Sequence, residues 1–417
     1  MPTAIRVVLE TLGCKLNQAE TESLARELGA AGFCIVASGE ASDIYILNAC
    51  TVTATADAKV RHLLSRAHRQ IPPPVLVLTG CCNEGEASFG RVMQGARVFV
   101  CRDKSAIVPL LQGLGYSGAG AGRLPRGRTR AMVKAQEGCR NYCTYCIVPF
   151  MRGQEKSRPP DDVIGEVDAR VWDGYQEVVL TGTEIGAYSH DNLGISELVC
   201  RILEETGVTR LRLSSLQPVE VTEALLRLGG SGRLCPHFHL SLQSGCDSVL
   251  SRMRRRYDTA GYQDAIKRIR AMMPEAAITT DVIVGFPGET EVEFEESYRF
   301  CASVGFARIH VFPFSPRPGT VAADMPDQVA PSIKRERSRR FLTLARESAE
   351  VFRTAFLGKA LMVLWEGEAR GIMSGYTGNY IRVYSGVGAG LVNEVTDVRI
   401  TKLYRDGVWG ETTGGAI

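Results

Sequence analysis

Cys139, Cys143 and Cys146 stand in the run Glu137-Gly138-Cys139-Arg140-Asn141-Tyr142-Cys143-Thr144-Tyr145-Cys146. The spacing is C-x3-C-x2-C, so three thiols share one short loop. Soft thiolates are the preferred ligands of iron–sulfur clusters, and three of them hold three irons of a four-iron cubane. The fourth iron then has no protein ligand and stays open to a small molecule. Zinc would ask for four ligands in paired C-x2-C units, and no second pair lies nearby.

Three more cysteines share a structural position. Apolar runs at Ile5–Thr11, Ile44–Asn48 and Val75–Thr79 read as strands, and each is followed closely by a cysteine: Cys14, Cys50 and Cys81. In an open parallel sheet the carboxyl ends of the strands line the ligand crevice. Three thiols at equivalent strand ends can therefore converge, again with three ligands and one open iron. Buried free cysteines are common in cores, but three at matching positions favour a second cluster. Cys82 adjoins Cys81 and is an alternative ligand. Cys34, Cys200, Cys235, Cys246 and Cys301 read as ordinary thiols, and His237 and His239, at period two on one strand, as structural.

The elements that must position these groups fall into three segments of the 417-residue chain. Residues 1–111 add a strand at Val98–Val100 and helices at Gln18–Ala31 and Thr55–Gln70, an alternation that predicts an open parallel α/β domain. Residues 112–130 are rich in Gly and Arg and read as a linker. Residues 131–330 carry candidate strands at Ala131–Gln136, Glu177–Thr181, Arg210–Ser214, His237–Leu242, Ala277–Val284 and Arg308–Phe314. Six strands fit a partial (β/α)6 barrel, with the cysteine loop after the first strand, where barrel active sites assemble. A charged connecting helix at 331–356 leads to 357–417, where short β runs (Ala360–Glu366, Tyr380–Tyr384, Val395–Tyr404) predict a small β-barrel.

The chain is 45% hydrophobic and 23% charged, an ordinary composition for a globular protein, and its net charge of +3 neither demands nor excludes nucleic acid. No run is apolar enough to cross a membrane and the N-terminus shows no signal-peptide pattern. Thirteen cysteines without an export signal predict reduced thiols or metal ligands in a cytoplasmic protein.

The cysteine loop resembles the signature of radical S-adenosylmethionine (SAM) enzymes, in which SAM fills the vacancy on the cluster. Further blocks extend the likeness along the whole chain: Thr11-Leu12-Gly13-Cys14-Lys15-Leu16-Asn17-Gln18, Asn48-Ala49-Cys50-Thr51-Val52-Thr53, Thr79-Gly80-Cys81, His239-Leu240-Ser241-Leu242-Gln243-Ser244-Gly245, Asp281 to Thr290 (DVIVGFPGET) and Phe314 to Thr320 (FSPRPGT). The chain is similar to the methylthiotransferases of that superfamily, whose order is an N-terminal three-cysteine domain, a radical SAM domain and a TRAM domain. Within the family, Gly13-Cys14-Lys15-Leu16-Asn17-Gln18 resembles the branch that acts on N6-threonylcarbamoyladenosine (t6A) at position 37 of tRNA. The isopentenyladenosine branch and the ribosomal-protein branch usually carry other residues at Lys15 and Leu16, and an iron–sulfur carrier would not need the glycine blocks. Cys82, and Cys101-Arg102-Asp103-Lys104, depart from the family pattern at the rim of the first domain.

The resemblance implies two [4Fe–4S] clusters, one on Cys139, Cys143 and Cys146 and an auxiliary one on Cys14, Cys50 and Cys81. It implies two SAM molecules: one methylates a sulfur carried by the auxiliary cluster, and the other is cleaved to a radical that takes hydrogen from C2 of the adenine. No acid–base residue is nominated. SAM is expected across the barrel's strand ends, at Thr181, Gly182, Thr183 and Glu184, at Ser214 and Ser215, at Gln243 and at Gly285 and Gly288. An electron donor and a sulfur donor are implied as partners. The tRNA anticodon stem-loop is expected to meet basic clusters: Arg123, Arg126, Arg128 and Arg130; Arg254, Arg255 and Arg256; Lys334, Arg335, Arg337, Arg339 and Arg340. The C-terminal segment is near neutral, so RNA contact there would rest on shape and a few residues.

Overall fold

The computed structural model describes residues 4–51, 54–82, 95–118, 129–386 and 390–413. Arg123, Arg126 and Arg128, and most of the expected linker, lie outside them. The described chain divides into two compact units. One comprises the described residues up to 118 together with Cys146–Gly153; the other comprises the described residues from Thr129 to Tyr145 and from Gln154 onward.

In the first unit, five strands form one parallel sheet: β1 (Arg6–Leu12), β2 (Cys34–Val36), β3 (Ile44–Cys50), β4 (Val75–Cys81) and β5 (Val98–Val100). Their order is β2-β1-β3-β4-β5. Helices cover both faces: α1 (Lys15–Ala30) and α3 (Ile107–Gly113) on one, α2 (Ala54–His68) on the other. Val7, Ile44, Ile46, Val75 and Val77 pack against Leu24, Leu28, Ile107 and Leu111; Val8, Tyr45, Leu47, Leu76 and Leu78 pack against Val60 and Leu64. Burial on both faces explains why these strands read as continuous apolar runs rather than alternating ones. The order reverses between β1 and β3, and a doubly wound sheet opens its ligand crevice at the carboxyl ends of the strands there. Cys14 and Cys50 stand at that point.

The same unit includes a short helix, α4 (Val148–Arg152), two residues after Cys146. Its last residue, Arg152, lies against the carboxyl end of β4.

In the second unit, β6 (Arg130–Lys134), β7 (Glu177–Thr181) and β8 (Arg210–Leu213) form one parallel sheet in the order β8-β7-β6. A second parallel sheet holds Ser215–Leu216, β9 (His237–Leu240), β10 (Ala277–Val284) and β11 (Arg308–Pro313). An isolated parallel bridge pairs Leu211 of β8 with Leu234, in the chain entering β9. These are the six strands expected of the partial barrel. One face of the strands (Ala131, Val133, Val178, Leu180, Leu211, Phe238, Leu240, Ile278, Val282) packs under α5 (Pro160–Trp172), α6 (Ile195–Glu205), α7 (Thr259–Met272) and α8 (Glu291–Val304). Many of the alternate residues, which face the other way, are polar, among them Glu177, Arg210, Arg212, His237, His239, Thr279 and Asp281.

After α9 (Pro331–Thr354) come β12 (Ala360–Ala369), β13 (Ile372–Thr377), β14 (Arg382–Ser385), β15 (Val395–Tyr404) and β16 (Gly407–Thr412), closed into a barrel in the order β12-β13-β14-β16-β15. Trp365 is its largest core residue, and its indole N–H donates to Thr396 Oγ1 at 2.8 Å. Closure brings β16 against β14 so tightly that a Cβ on Gly407 would sit 2.1 Å from the Arg382 carbonyl oxygen, so only glycine fits.

This small barrel docks on the amino ends of the larger barrel's strands. Glu177, first in β7, pairs with Arg210 at 2.9 Å and Arg212 at 2.7 Å. Arg212 donates onward to the Gly378 carbonyl at 2.9 Å and Arg210 to that of Tyr376 at 3.1 Å. Arg130 reaches the Tyr380 hydroxyl and Glu366, both at 2.6 Å, and the Tyr380 ring stacks on His237. Burial opposes ionisation of Glu177, but Arg212, Arg210 and Arg130 outweigh it and hold the carboxyl down at about 2. The strands' carboxyl ends are left for the cysteine loop.

Candidate functional site

The loop bearing Cys139 and Cys143 follows β6. Cys139 Sγ lies 3.2 Å from Glu184 Oε2, and the Asn141 side-chain amide donates to the same oxygen at 2.6 Å. Burial, with Glu184 alongside, pushes the Cys139 thiol up to about 12, so the metal-free thiol is a proton donor that a metal would have to displace. Cys143 meets the opposite charge: Arg255 Nη1 donates to its sulfur at 3.2 Å. Arg255 is held by the Tyr257 hydroxyl at 2.9 Å, and Tyr257 bonds the Leu242 carbonyl at 3.0 Å, so the cation is fixed by the chain leaving β9. Cys146 follows by three residues and is half-buried. Cys139 and Cys143, one of them facing a guanidinium, suit thiolate ligands of a cluster.

The strand ends beside this loop carry the residues expected to hold SAM. Thr181 closes β7 and is buried. Gly182 runs so close to Gln136 that a Cβ would stand 2.7 Å from its Oε1. The Gly138 amide donates to Thr183 Oγ1 and the Glu184 amide to Gln136 Oε1, tying the cysteine loop to the loop after β7. Ser214, just after β8, is buried, and its hydroxyl has no hydrogen-bond partner among the described residues. That orphaned group suits a ligand's polar atom. Gln243 takes a left-handed conformation (φ 71°) uncommon outside glycine. The amides of Gly285 and Gly288 donate within the chain, to Glu289 Oε2 and to the Asp327 carbonyl, and Gly285 also lies close to Lys334.

Sequence reasoning missed Glu220. It is half-buried, accepts from the Gln217 amide at 2.7 Å, and stands against Gly186, where a Cβ would clash with its carboxylate. Burial, aided by neighbouring Glu184, pushes it up to about 8. Two close carboxyls make an acceptor pair for a bound cation, and the ammonium of an amino acid such as SAM would satisfy it.

The second cysteine set is built on the first unit's sheet. Cys50 and Cys81 end β3 and β4 and are partners in register. Cys14 begins α1, and its amide and thiol both bond Asn17 Oδ1. Asn17 is fully buried and donates to Asn48 Oδ1 at 2.9 Å, while Asn48 donates back to the Asn17 carbonyl at 2.9 Å. This amide pair pins the turn after β1 to β3. Gly13 sits so near β3 that a Cβ there would be 2.9 Å from Cys50 Cβ. A hydrogen bond from Cys50, opposed by burial and assisted by Arg152, holds the Cys81 thiol down at about 6. Arg152 Nε donates to Cys81 Sγ at 3.0 Å. A thiol bonded to a guanidinium, with Cys50 beside it in register and Cys14 acting on the same cation, suits a second thiolate-ligated group. Cys82 turns away: its thiol meets the Thr79 carbonyl within the apolar core, and burial pushes it up to about 12.

His239 has company that sequence did not show. Its Nδ1 meets Thr279 Oγ1 at 3.0 Å and its Nε2 meets Asp281 Oδ2 at 3.2 Å, with His310 on the adjacent strand. The basic runs are less available than their sequence implied. Arg130 and Arg255 are engaged internally, Arg337 is buried on Glu289 at 2.8 Å, and Arg339 and Arg340 pair with Glu336 and Glu295.

Comparison with known proteins bears on both halves. The profile of the Radical SAM superfamily matches residues 133–301, and that of uncharacterized protein family UPF0004 matches residues 6–97. The chain is 35% identical to the threonylcarbamoyladenosine tRNA methylthiotransferase of Bacillus subtilis, over 95% of this chain and 94% of the relative. It is 33% identical to that of Chlamydia pneumoniae, over 97% of each. A tRNA-2-methylthio-N(6)-dimethylallyladenosine synthase of Pelotomaculum thermopropionicum is 34% identical over 93% of each. Among solved structures, the radical SAM methyltransferase TsrM of Kitasatospora setae shares the fold with a TM-score of 0.54 at 13% identity, covering 81% of this chain and 85% of that one. Radical SAM chemistry works with a [4Fe–4S] cluster and SAM, and the loop thiols and strand-end polar groups suit both. Alignment at this identity along nearly the whole length places the chain in the family of radical SAM tRNA methylthiotransferases.

Proposed function

We propose that this enzyme methylthiolates C2 of N6-threonylcarbamoyladenosine at position 37 of tRNA, with two SAM molecules and a second, auxiliary [4Fe–4S] cluster. The observation that carries the reading is the meeting of Cys14, Cys50 and Cys81 at the sheet's switch point beside Arg152. Cys139, Cys143 and Cys146 would hold the SAM-binding cluster. When bound, the two clusters and SAM supply the radical and the sulfur.

The protein's own groups bind and orient. Glu184 and Glu220 accept the SAM ammonium; Thr181, Gly182, Ser214 and Gln243 line its remaining polar edge. Arg255 balances charge at Cys143. Asn17 and Asn48 hold Cys14 toward Cys50. The anticodon stem-loop enters as substrate, an electron donor and a sulfur donor serve the clusters, and the reaction takes place in the cytoplasm. The three-part order read from the sequence, with a TRAM-like tail at 357–417, fits this assignment.

Nucleoside mass spectrometry on tRNA from a deletion strain tests the substrate. Loss of 2-methylthio-t6A with t6A in its place is the expected result. A second reading has its own support, since the dimethylallyladenosine synthase is nearly as similar as the t6A relatives. Loss of the 2-methylthio-isopentenyl nucleoside instead would move the enzyme to that branch.

A further inference from the structure

Arg152 is a buried cation set against the sulfur of Cys81. Its side chain is 8% exposed. Two of its nitrogens grip Glu20, at 2.8 and 3.3 Å, and its Nε is left for Cys81 Sγ at 3.0 Å. Glu20 is itself 3% exposed and is shared with Lys104 at 3.1 Å. The result is a line of alternating charge that ends on a sulfur. A guanidinium stays protonated in any protein environment and presents its donors in a fixed fork, so this cation cannot step aside by losing its proton. Its backbone is fixed as well, since Arg152 ends a five-residue helix that carries a proline in its first turn and is followed by Gly153 at φ 71°.

We propose that Arg152 is a positioning residue that sets the charge at the auxiliary cluster, donating a hydrogen bond to the Cys81 ligand while Glu20 moderates its field. The inference rests on the two-cluster reading. A cluster held by three thiolates is anionic, and hydrogen bonds or cations at ligand sulfurs favour the reduced form and raise the reduction potential. Arg152 therefore raises it. Glu20 draws the guanidinium charge toward itself and lowers it. Because Arg152 follows Cys146 by six residues on one short segment, the residue that tunes one cysteine set is tethered to the other.

The test uses the full-length chain carrying Cys139→Ala and Cys143→Ala, which leaves Cys146 and its segment intact and removes the SAM-binding cluster. EPR-monitored redox titration and iron analysis are run on this parent and on its R152Q, R152K and E20Q derivatives. The parent is expected to hold about four irons. R152Q should shift the midpoint to more negative values, E20Q to more positive ones, and R152K should stay near the parent. Residues that only pack the site would not give opposite signs. Should R152Q lose its iron while R152K keeps it, the need for the cation is equally shown. Equal midpoints with iron retained, shifts of one sign, or iron loss in R152K and R152Q alike would overturn the inference alone. A parent without iron would overturn the two-cluster reading, and this inference with it.

Discussion

Neighbouring cysteines here have opposite fates, decided by which way one strand end points. Cys81 faces Cys50 and Arg152, whereas Cys82 faces the core that holds Leu47 and Leu78. Cys81→Ala should reduce reconstituted iron from about eight to about four, whereas Cys82→Ala should leave it near eight; iron and sulfide analysis after anaerobic reconstitution checks both. Cys50→Ala should still cleave SAM to 5′-deoxyadenosine but make no methylthiolated nucleoside, and Cys143→Ala should lose both, read by liquid chromatography of the two products. Spacing and strand ends singled out six cysteines in the sequence as candidate ligands, but could not single out their neighbours. Arg152, Arg255 and Glu220 were not legible, since no local pattern links Arg152 to a cysteine 71 residues away or Arg255 to one 112 residues away. Only the fold brings such pairs together.

At the scale of elements, apolar runs marked the strands well where both sides of the sheet are covered or the far face is closed off. Glu177–Thr181 and Ala277–Val284 fall where patterning put them. Patterning failed on Ile372–Thr377, whose Gly375 and Ser374 dilute the β signal, and on Gly407–Thr412, whose glycines serve barrel closure. It also stopped β3 and β4 two residues early, so Cys50 and Cys81 are the last residues of their strands and not loop residues. That gives their thiols the stiffness of a sheet. Cys14 lacks a strand of its own and depends on the Asn17–Asn48 pair. Asn48→Ala would remove the closer acceptor of the buried Asn17 amide, leaving it the Ala49 carbonyl at 3.4 Å, and would remove the bond returned to the Asn17 carbonyl, at a cost of about 1–3 kcal/mol. Expected are a lower melting temperature and a lower occupancy of the auxiliary cluster, with the SAM-binding cluster unchanged, measured by thermal unfolding and by Mössbauer spectroscopy of the iron-loaded protein.

For the larger unit as a whole, the docking of the small barrel is a buried electrostatic joint and not a loose tether. Truncation before Leu357 would strip Arg210 and Arg212 of the carbonyls of Tyr376 and Gly378, so it damages the amino ends of the larger barrel as well as removing the tail. Substitutions separate these effects. Glu177→Gln leaves two buried arginines without their counter-charge and should destabilise by about 3–5 kcal/mol at neutral pH. Because the folded carboxyl titrates at about 2, below its ordinary 4.5, its contribution is complete above about pH 4.5 and is lost as pH falls toward 2. Acid unfolding followed by tryptophan fluorescence should therefore be steeper in the parent than in E177Q over that window. On the barrel, Lys402 lies over the Trp409 ring and Arg405 over Tyr404, exposed cations steadied by aromatic faces and of the kind that meets RNA phosphates. Replacing both with alanine should leave the joint and the clusters intact while weakening tRNA binding. If each cation meets one phosphate, the slope of log affinity against log salt should fall by about 0.7–0.9 per residue removed. Filter binding across a salt series measures both quantities; an unchanged affinity and slope would place the RNA contact on another face of the molecule.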